Sequence, residues 1–326
     1  MNTIHKLTTA CLLLLTASVA APSQAAEPLT WKWTEGDTTR YLMTQSMQMT
    51  IMPAPGQEFK TKSLQKMLMT WNVGGQDEQG ATKIDQSLDR IVMSSDGPMG
   101  QSFDYDSQDE EAPAGMAAMV APMFDAMVKD GFTISMLPNG KIVDVQLSEG
   151  LAEAFKRLPG GSMSADMVTQ MSQNGSLVFP DRELSPGDNW TQETGVNTPQ
   201  IGKMTVTTTY TYNGTEQVDG RELESFTPQI EIGTGDSAPT AAGMPKLDFS
   251  TRGSSGKLLF DRETGRLVSS ELNQEMEINV TVGEKSFTNV MEQTVAMREL
   301  KAGEEPEFDE DPESGPVSAP VSASEE

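Results

Sequence analysis

The sequence predicts an α+β fold that is mainly antiparallel β. We expect long curved sheets, or a half-barrel, built from two repeated meanders with a central methionine-rich helical segment. Three observations support this prediction. Apolar and polar residues alternate over long segments in both halves of the chain, the helical period is confined to the middle, and three short motifs recur in the same order.

Residues 1–25 have the composition of a cleavable signal peptide. Lys6 precedes an apolar run from Cys11 to Ala21, and a small residue follows at Ala25. The run is shorter than the roughly 20 residues that a helix needs to cross a bilayer. We therefore expect an exported protein that does not span the membrane and that resides in the periplasm or at the cell surface.

The mature chain would contain neither histidine nor cysteine, because His5 and Cys11 both lie in the predicted leader. It then cannot carry a Ser-His-Asp triad, a cysteine nucleophile, a histidine-ligated zinc or a disulfide. We expect a non-enzymatic protein without a cofactor.

Charge narrows the choice of partners. Without Lys6, 22 basic residues stand against 48 acidic ones, a net charge of −26. A field of this sign repels phosphate backbones, so nucleic acid is not expected as a partner. Nine acids and no base lie in residues 303–326, which we expect to be a disordered, solubilising tail. A docking tail for a basic partner is the alternative.

Two segments of the first half alternate with a period of two. A connection containing proline and glycine, residues 53–57, separates them. We therefore expect two antiparallel strands of a meander, each with one apolar and one wet face. The alternating apolar residues are Met43, Met47, Met49 and Ile51 in the first segment and Met67, Met69, Trp71 and Val73 in the second.

The second half contains a longer hairpin. Apolar residues alternate with polar ones from Val268 to Val282 and, after a turn at Gly283, from Phe287 to Met297. Each strand would have about 15 residues, where about five or six are usual. Strands of this length occur in twisted or curved sheets, which favours a half-barrel.

Three helices are predicted in the middle of the chain. The first contains a kink at Pro122, the second has Ser148 as a candidate N-cap, and the third ends at Gly175. Methionines form an apolar stripe on two of them: Met116, Met119, Met123 and Met127 on the first, and Met163, Met167 and Met171 on the third.

Three motifs recur along the chain and predict an internal duplication. We expect a first half at residues 26–175 and a second at residues 176–302. The paired motifs are Glu35-Gly36-Asp37 with Pro186-Gly187-Asp188, Trp71-Asn72 with Tyr212-Asn213, and Asn139-Gly140 with Thr264-Gly265.

Three segments resemble an uncharacterised family of exported bacterial proteins, known as a domain of unknown function. They read WKWTEGD at residues 31–37, IDQSLDRI at 84–91, and SLVFP followed by PGDNW within 176–190. The resemblance spans most of residues 29–300 and implies no catalytic residue, since none is assigned in that family. More loosely, the long hairpin and the helices are similar to the half-barrel of periplasmic lipoprotein carriers.

Methionine occurs 22 times, and three interpretations of it are open. The methionines could fill the core, or the pairs Met47 with Met49 and Met67 with Met69 could bind soft Cu(I). In the third interpretation the helices cover the methionine face of the strands and enclose an adaptable apolar pocket. The candidate ligand-binding residues are then Met43, Met47, Met67, Met69, Met116, Met119, Met123, Met127, Met163 and Met167.

Acidic residues give two further hypotheses. A cluster at residues 104–111 supplies oxygen ligands of the kind that Ca²⁺ prefers, but it lacks the glycine and glutamate positions of an EF-hand, so a solvated loop is favoured. Two carboxylates alone can also hydrolyse a glycoside, yet no pair stands out from the sequence.

The leading hypothesis is therefore an exported, non-enzymatic binding protein with a pocket for an apolar, lipid-like small molecule. A structural or interaction protein of the cell envelope, without a small ligand, is the alternative. A carboxylate-dependent hydrolase is the third.

Overall fold

The computed structural model describes residues 27–54, 56–97, 102–111, 113, 115, 117–157, 165–198, 202–234, 246–282 and 285–308. The predicted signal peptide, Met116, Met163 and most of the predicted tail lie outside these residues. The elements are β1 Thr38–Ala54, β2 Gln57–Gln76, β3 Thr82–Asp96, β4 Ser102–Asp106, α1 Ala117–Lys129, β5 Phe132–Met136, β6 Ile142–Leu147, α2 Glu149–Arg157, α3 Ala165–Gly175, β7 Asn189–Thr198, β8 Gly202–Val218, β9 Arg221–Thr234, β10 Lys246–Asp261, β11 Arg266–Val282 and β12 Lys285–Glu299.

The strands form one open, curved, antiparallel sheet. Its order is β6-β5-β3-β2-β1-β12-β11-β10-β9-β8-β7, and β4 pairs with the C-terminal end of β3, from Val92 to Asp96. The first and last long strands, β1 and β12, pair along most of their length, so the two predicted halves share a single sheet. The prediction of a mainly antiparallel β protein with unusually long strands is confirmed, since β2 alone has 20 residues.

The two faces of the sheet differ because side chains alternate along each strand. We call the face that carries Tyr41, Met43 and Met67 the inner face, and the opposite one the outer face. The proximal end is the end where β1 begins and β12 ends, and the distal end holds the hairpin connection between β1 and β2.

A large aromatic core lies on the inner face at the proximal end. It joins strands that are far apart in the sheet order, including Ile84 of β3, Val145 of β6, Tyr212 of β8 and Phe260 of β10. The sheet must therefore curl so that its two ends approach each other. Phe260 is fully buried and its ring centroid lies 4.8 Å from that of Phe179, which belongs to the segment before β7.

Helix α3 lies between the two edge strands. It contacts both β6 and β7. Gln173 of α3 donates to the carbonyl oxygen of Ile142 on β6 (3.2 Å), and Gln192 of β7 donates to the carbonyl oxygen of Gln173 (3.1 Å). Edge strands expose unpaired backbone groups, and α3 covers part of both edges.

The N-terminal segment closes the proximal end. The amide of Trp31 donates to the carbonyl oxygen of Pro138 (2.7 Å), and the amide of Lys32 donates to that of Gly265 (3.0 Å). Gly140 and Gly265 sit in hairpin turns with φ of +93° and +65°. A Cβ atom at Gly140 would meet the carbonyl oxygen of Leu177, and one at Gly265 the amide nitrogen of Lys32, so both turns need glycine for conformation and for space.

One of the recurrent motif pairs, Glu35-Gly36-Asp37 with Pro186-Gly187-Asp188, forms similar local turns, whereas Trp71 is not the counterpart of Tyr212 in them. In the turn before β1, the amide of Gly36 donates to the carbonyl oxygen of Val73 (2.9 Å). In the turn before β7, the amide of Gly187 donates to the carbonyl oxygen of Tyr212 (2.8 Å). Both glycines have positive φ. This is a local similarity between two turns, and the internal duplication itself stays a prediction.

The helices lie in the middle of the chain. The Ser148 hydroxyl accepts a hydrogen bond from the amide of Leu151 (3.1 Å), so Ser148 caps α2 as predicted. Helix α1 contacts β3, β4 and α2, and Pro122 lies within it. The side chains of Met119 in α1 and Met167 in α3 are not described, so the methionine-rich lid stays a prediction.

The chain after β12 returns across the outer face. Leu300 is buried, and Arg40 of β1 donates to the carbonyl oxygen of Glu304 (3.1 Å). Lys66 of β2 donates to the carbonyl oxygen of Phe308 (3.0 Å), and the guanidinium of Arg90 on β3 lies 4.4 Å from the Phe308 ring centroid. Residues 303–308, which the sequence assigns to a disordered tail, are therefore held against three strands.

Candidate binding surfaces

The predicted strand methionines lie on the inner face in neighbouring rows. Met43 pairs with Met67 of β2 and with Met297 of β12, and Met69 pairs with Tyr41. Met47 lies four residues further along β1 than Met43, opposite Ser63 and Gln293. The four residues that the sequence places on one strand face therefore share that face, and all four are partly buried.

Packing, rather than a cavity, joins α1 to these strands. Met123 and Met127 of α1 pack with Met67 against a second, smaller core. That core consists of Ile91, Tyr105, Ala121 and Phe124. The Tyr105 hydroxyl donates to Asp125 of α1 (2.9 Å), and burial together with this bond raises its pKa. At Met67 the helix covers packed side chains.

The inner face continues beyond both cores. Toward the distal end, three mainly apolar rows follow one another; Asn289 lies within the second, and Thr61 and Thr251 stand at the two ends of the first. None of them belongs to either core, and Phe59, at the end of the second row, is 42% exposed. The rows are Met49, Met291 and Met276; Phe59, Ile51, Asn289, Ile278 and Phe249; and Phe287, Val280 and Leu247. We call these residues the distal apolar rows.

Two polar atoms in this region are buried without a partner among the described residues. They are Nε2 of Gln274 and Oδ1 of Asn289. Gln274 lies two residues before Met276 on β11, and Asn289 two residues before Met291 on β12, so a donor and an acceptor flank this methionine pair on the same face. Buried polar groups in proteins are normally hydrogen-bonded to protein, water or ligand.

A cavity formed by described residues lies on the outer face. Its volume is about 870 Å³. It follows two adjacent outer rows across six strands, from β3 to β10, a distance of about 24 Å at the usual strand spacing. We call it the outer groove. The side chains of its two rows are Asp96, Lys62, Gln48, Glu292 and Glu275, and Ser94, Leu64, Ser46, Thr294, Asn273 and Ser255. Met47, from the row between them, also lines the groove and is the one predicted site residue that does so.

Most groups in the outer groove are polar, and two pairs of them are hydrogen-bonded to each other. Gln48 donates to Glu292 (2.7 Å) and Thr294 donates to Asn273 (2.7 Å). Glu275 is paired with Arg252 (3.4 Å). Glu275 and Glu292 are directly opposite on neighbouring strands, yet each is held by a hydrogen-bonding partner of its own.

One of the acidic residues before α1 links two strands of the sheet. Arg90 donates to both carboxylate oxygens of Asp106, at 3.1 and 2.5 Å. Burial raises the pKa of Asp106, but the hydrogen bonds from Arg90 and from the amide of Gln108 outweigh it and hold the pKa below its usual value. Among the residues that the structure describes, no group of three or more acidic, histidine or cysteine side chains is placed to hold a metal ion.

Comparison with known protein families identifies one that matches the sequence. The model of a family of unknown function, DUF6263, matches residues 79–267, more than half of the chain. The chain belongs to this family. None of the curated proteins matches it.

Solved structures resemble the chain only distantly. Lipovitellin, in a structure that concerns its lipid–protein interactions, has a TM-score of 0.48 and 9% identity, and the match covers 83% of this chain and 26% of lipovitellin. The β domain of the Bordetella autotransporter BrkA gives 0.23 and 7%, with 80% and 98% covered. An outer-membrane channel from Pseudomonas putida F1 gives 0.21 and 9%, with 83% and 97% covered. Similarity at this level carries no functional argument. Within the described part of the chain, no helix has the length and apolar character to cross a membrane.

Proposed function

We propose that this protein is an exported, non-enzymatic binding protein that receives an apolar, lipid-like molecule on the distal apolar rows. The observation that carries the proposal is the continuation of an apolar inner face beyond both hydrophobic cores. The rows extend about 20 Å across the strands and about 14 Å along them. An apolar surface that no core includes is typical of a binding site.

The composition of the rows fits an adaptable surface. Methionine is unbranched and polarizable, so Met49, Met276 and Met291 can adjust to acyl chains of different shape. The unpartnered amide atoms of Gln274 and Asn289 would supply one donor and one acceptor to the polar part of an amphipathic molecule. The leader predicted at residues 1–25 supports a location outside the cytoplasm.

The proposal places the site differently from the sequence hypothesis. Of the ten methionines predicted from the sequence, Met67, Met123 and Met127 pack around the smaller core, where a ligand would have to displace them. Met47 lies next to the distal rows, and Met43 and Met69 lie further toward the proximal end. We therefore move the proposed contact surface toward Met49, Ile51 and Ile278.

A fluorescent fatty acid, dansyl-undecanoate, tests the proposal with the mature chain. We expect saturable binding and an emission increase, because the dansyl group enters an apolar environment. Ile51→Gln places an amide in the middle of the distal rows and should weaken binding about tenfold or more. Thr50→Gln, on the adjacent outer position of β1, is the matched control and should bind as the wild type does. No saturable binding, or equal loss in both variants, would exclude the distal rows as the site.

The outer groove favours a second function, the binding of an extended polar ligand. Its length and its alternating hydroxyl, amide and carboxylate groups suit a chain molecule such as a glycan or a peptide. Ser94→Tyr would fill one end of the groove. If this variant abolished binding of an oligosaccharide or peptide while dansyl-undecanoate binding persisted, the polar function would be favoured.

A further inference from the structure

Three methionines stand side by side in one row of the inner face. Met291 of β12 is directly opposite Met49 of β1 on one side and Met276 of β11 on the other. We call these residues the methionine row. They come from both ends of the sequence, and only the pairing of β1 with β12 brings them together.

Their spacing allows the three sulfur atoms to converge. Directly opposite residues of antiparallel strands have Cβ atoms about 4.5–5.5 Å apart. The methionine side chain has three rotatable bonds, so the thioethers of Met49 and Met276 can lean toward that of Met291. Met276 is buried, and Met49 and Met291 are partly buried.

We propose that the methionine row is a binding site for a soft monovalent cation of the Cu(I) class. Thioether sulfur is a soft ligand, which selects Cu(I) over the hard cations that prefer oxygen. A thioether has no proton to lose, so such a site keeps its affinity in acidic surroundings, unlike sites built from histidine or cysteine. The net charge of −25 also raises the local concentration of cations around the chain.

A second row of methionines serves as a comparison, because its members pack against the hydrophobic cores. Met67, Met43 and Met297 are aligned across β2, β1 and β12 in the same way. Here Gln65 lies 3.2 Å from the Met67 sulfur and donates to it, Met67 packs against the smaller core and Met297 against the larger one. Among the described residues, the methionine row has no such contact with either core, and this difference favours it as the metal site.

Silver(I), a redox-stable soft cation, is the probe. Silver nitrate is added in chloride-free buffer to the mature chain carrying ¹³C-methyl methionine, and methyl resonances are followed by NMR. We expect one bound equivalent that shifts the signals of Met49, Met276 and Met291 together. Met291→Leu should lower the affinity by about tenfold or more, because it removes the central ligand.

The choice of leucine in Met291→Leu removes the sulfur ligand and little else. It conserves apolar character and approximate volume, so folding should be retained. Silver binding and dansyl-undecanoate binding are measured separately on the wild type, so failure of one and failure of the other are distinct results. Met43→Leu, in the row that packs against the cores, is the matched control and should leave silver affinity unchanged.

Several outcomes would overturn the assignment. These are the absence of stoichiometric silver binding, an unchanged affinity in Met291→Leu, and a loss in Met43→Leu that equals or exceeds it. The pH dependence gives a further check, because thioether ligands predict equal affinity at about pH 5 and about pH 8. A steep loss at the lower pH would point to carboxylate ligands and would also contradict the proposal.

Discussion

The proximal and distal parts of the inner face obey the same alternation but have different surroundings. Proximal positions carry large aromatic residues, such as Phe226 and Phe260, which the N-terminal segment and the segment before β7 cover. Distal positions carry methionine, aliphatic residues and phenylalanine, none of which belongs to the larger or the smaller core. An alternating pattern therefore identifies the apolar face of a strand, whereas the burial of that face depends on elements from elsewhere in the chain.

Two phenylalanines of β10 give the sharpest test of this comparison. Phe260 is fully buried in the aromatic core, and Phe249 lies in the distal apolar rows. Phe260→Ala should lower the free energy of unfolding by about 3–5 kcal/mol, since it leaves a cavity in a packed core. Phe249→Ala should cost about 1 kcal/mol or less. Urea unfolding followed by circular dichroism measures both.

A cost at Phe249 that approaches the cost at Phe260 would contradict the comparison. It would mean that the distal rows are as well packed as the core, and the proposed binding surface would lose its support.

Glycines in two hairpin turns allow the packing at the two ends of the sheet to be compared. Gly265, at the proximal end, has positive φ and backs onto Lys32, whereas Gly56, in the distal turn between β1 and β2, has positive φ and open space around it. Gly265→Ala should cost about 2–4 kcal/mol, because strain and a backbone clash combine, and Gly56→Ala about 1 kcal/mol from strain alone. Thermal unfolding of the two variants gives the ranking, and equal costs would show that the N-terminal segment does not close the proximal end.

The pH dependence of stability tests the contribution of Asp106 on the outer face. Asp106→Asn removes the charge-assisted bonds from Arg90 and should cost about 1–2 kcal/mol at neutral pH. The folded pKa of Asp106 lies below its usual value, so the wild type gains this stability above the ordinary pKa of about 4 and loses it as pH falls through the folded value. Wild type and variant should therefore converge in stability on acidification. A gap that stays constant down to about pH 2 would show that the charge of Asp106 is not the source.

Gln274 gives the smallest expected effect. Its Nε2 atom is buried without a partner among the described residues, so Gln274→Leu should raise the free energy of unfolding by about 0.5–1 kcal/mol. Gln293, directly opposite on β12, has no amide atom among those buried and unpartnered ones, and Gln293→Leu is the control. A stability loss at Gln274 would mean that its amide is bonded in solution.

Much of the architecture follows from local sequence. Alternation from Val268 to Met297 predicts the long hairpin, and β11 and β12 realise it with a continuous register. Ser148 predicts the start of α2 because capping needs only nearby residues. The segment after Leu300 is different. Its acidic composition predicts disorder, yet Arg40, Lys66 and Arg90 of three separate strands hold residues 303–308 in place.

The binding surfaces were only partly predictable. The sequence identifies Met47 and Met67 as inner-face residues but gives no means to distinguish them, and α1 packs against Met67 alone of the two. The alternation also contains Met276 and Met291, but nothing local shows that they stand beside Met49. The outer groove could not be predicted at all, because its residues come from six strands.

The sequence by itself determined the fold class, the length of the strands and the residues that share each strand face, because these depend on a period of two and on local turns. Only the tertiary structure decided which stretches of the apolar face are covered and which methionines become neighbours. The physical reason is that cover and neighbourhood are long-range. Pairing of β1 with β12 and the return of the terminal segments join residues more than 200 positions apart, and no local pattern encodes such contacts.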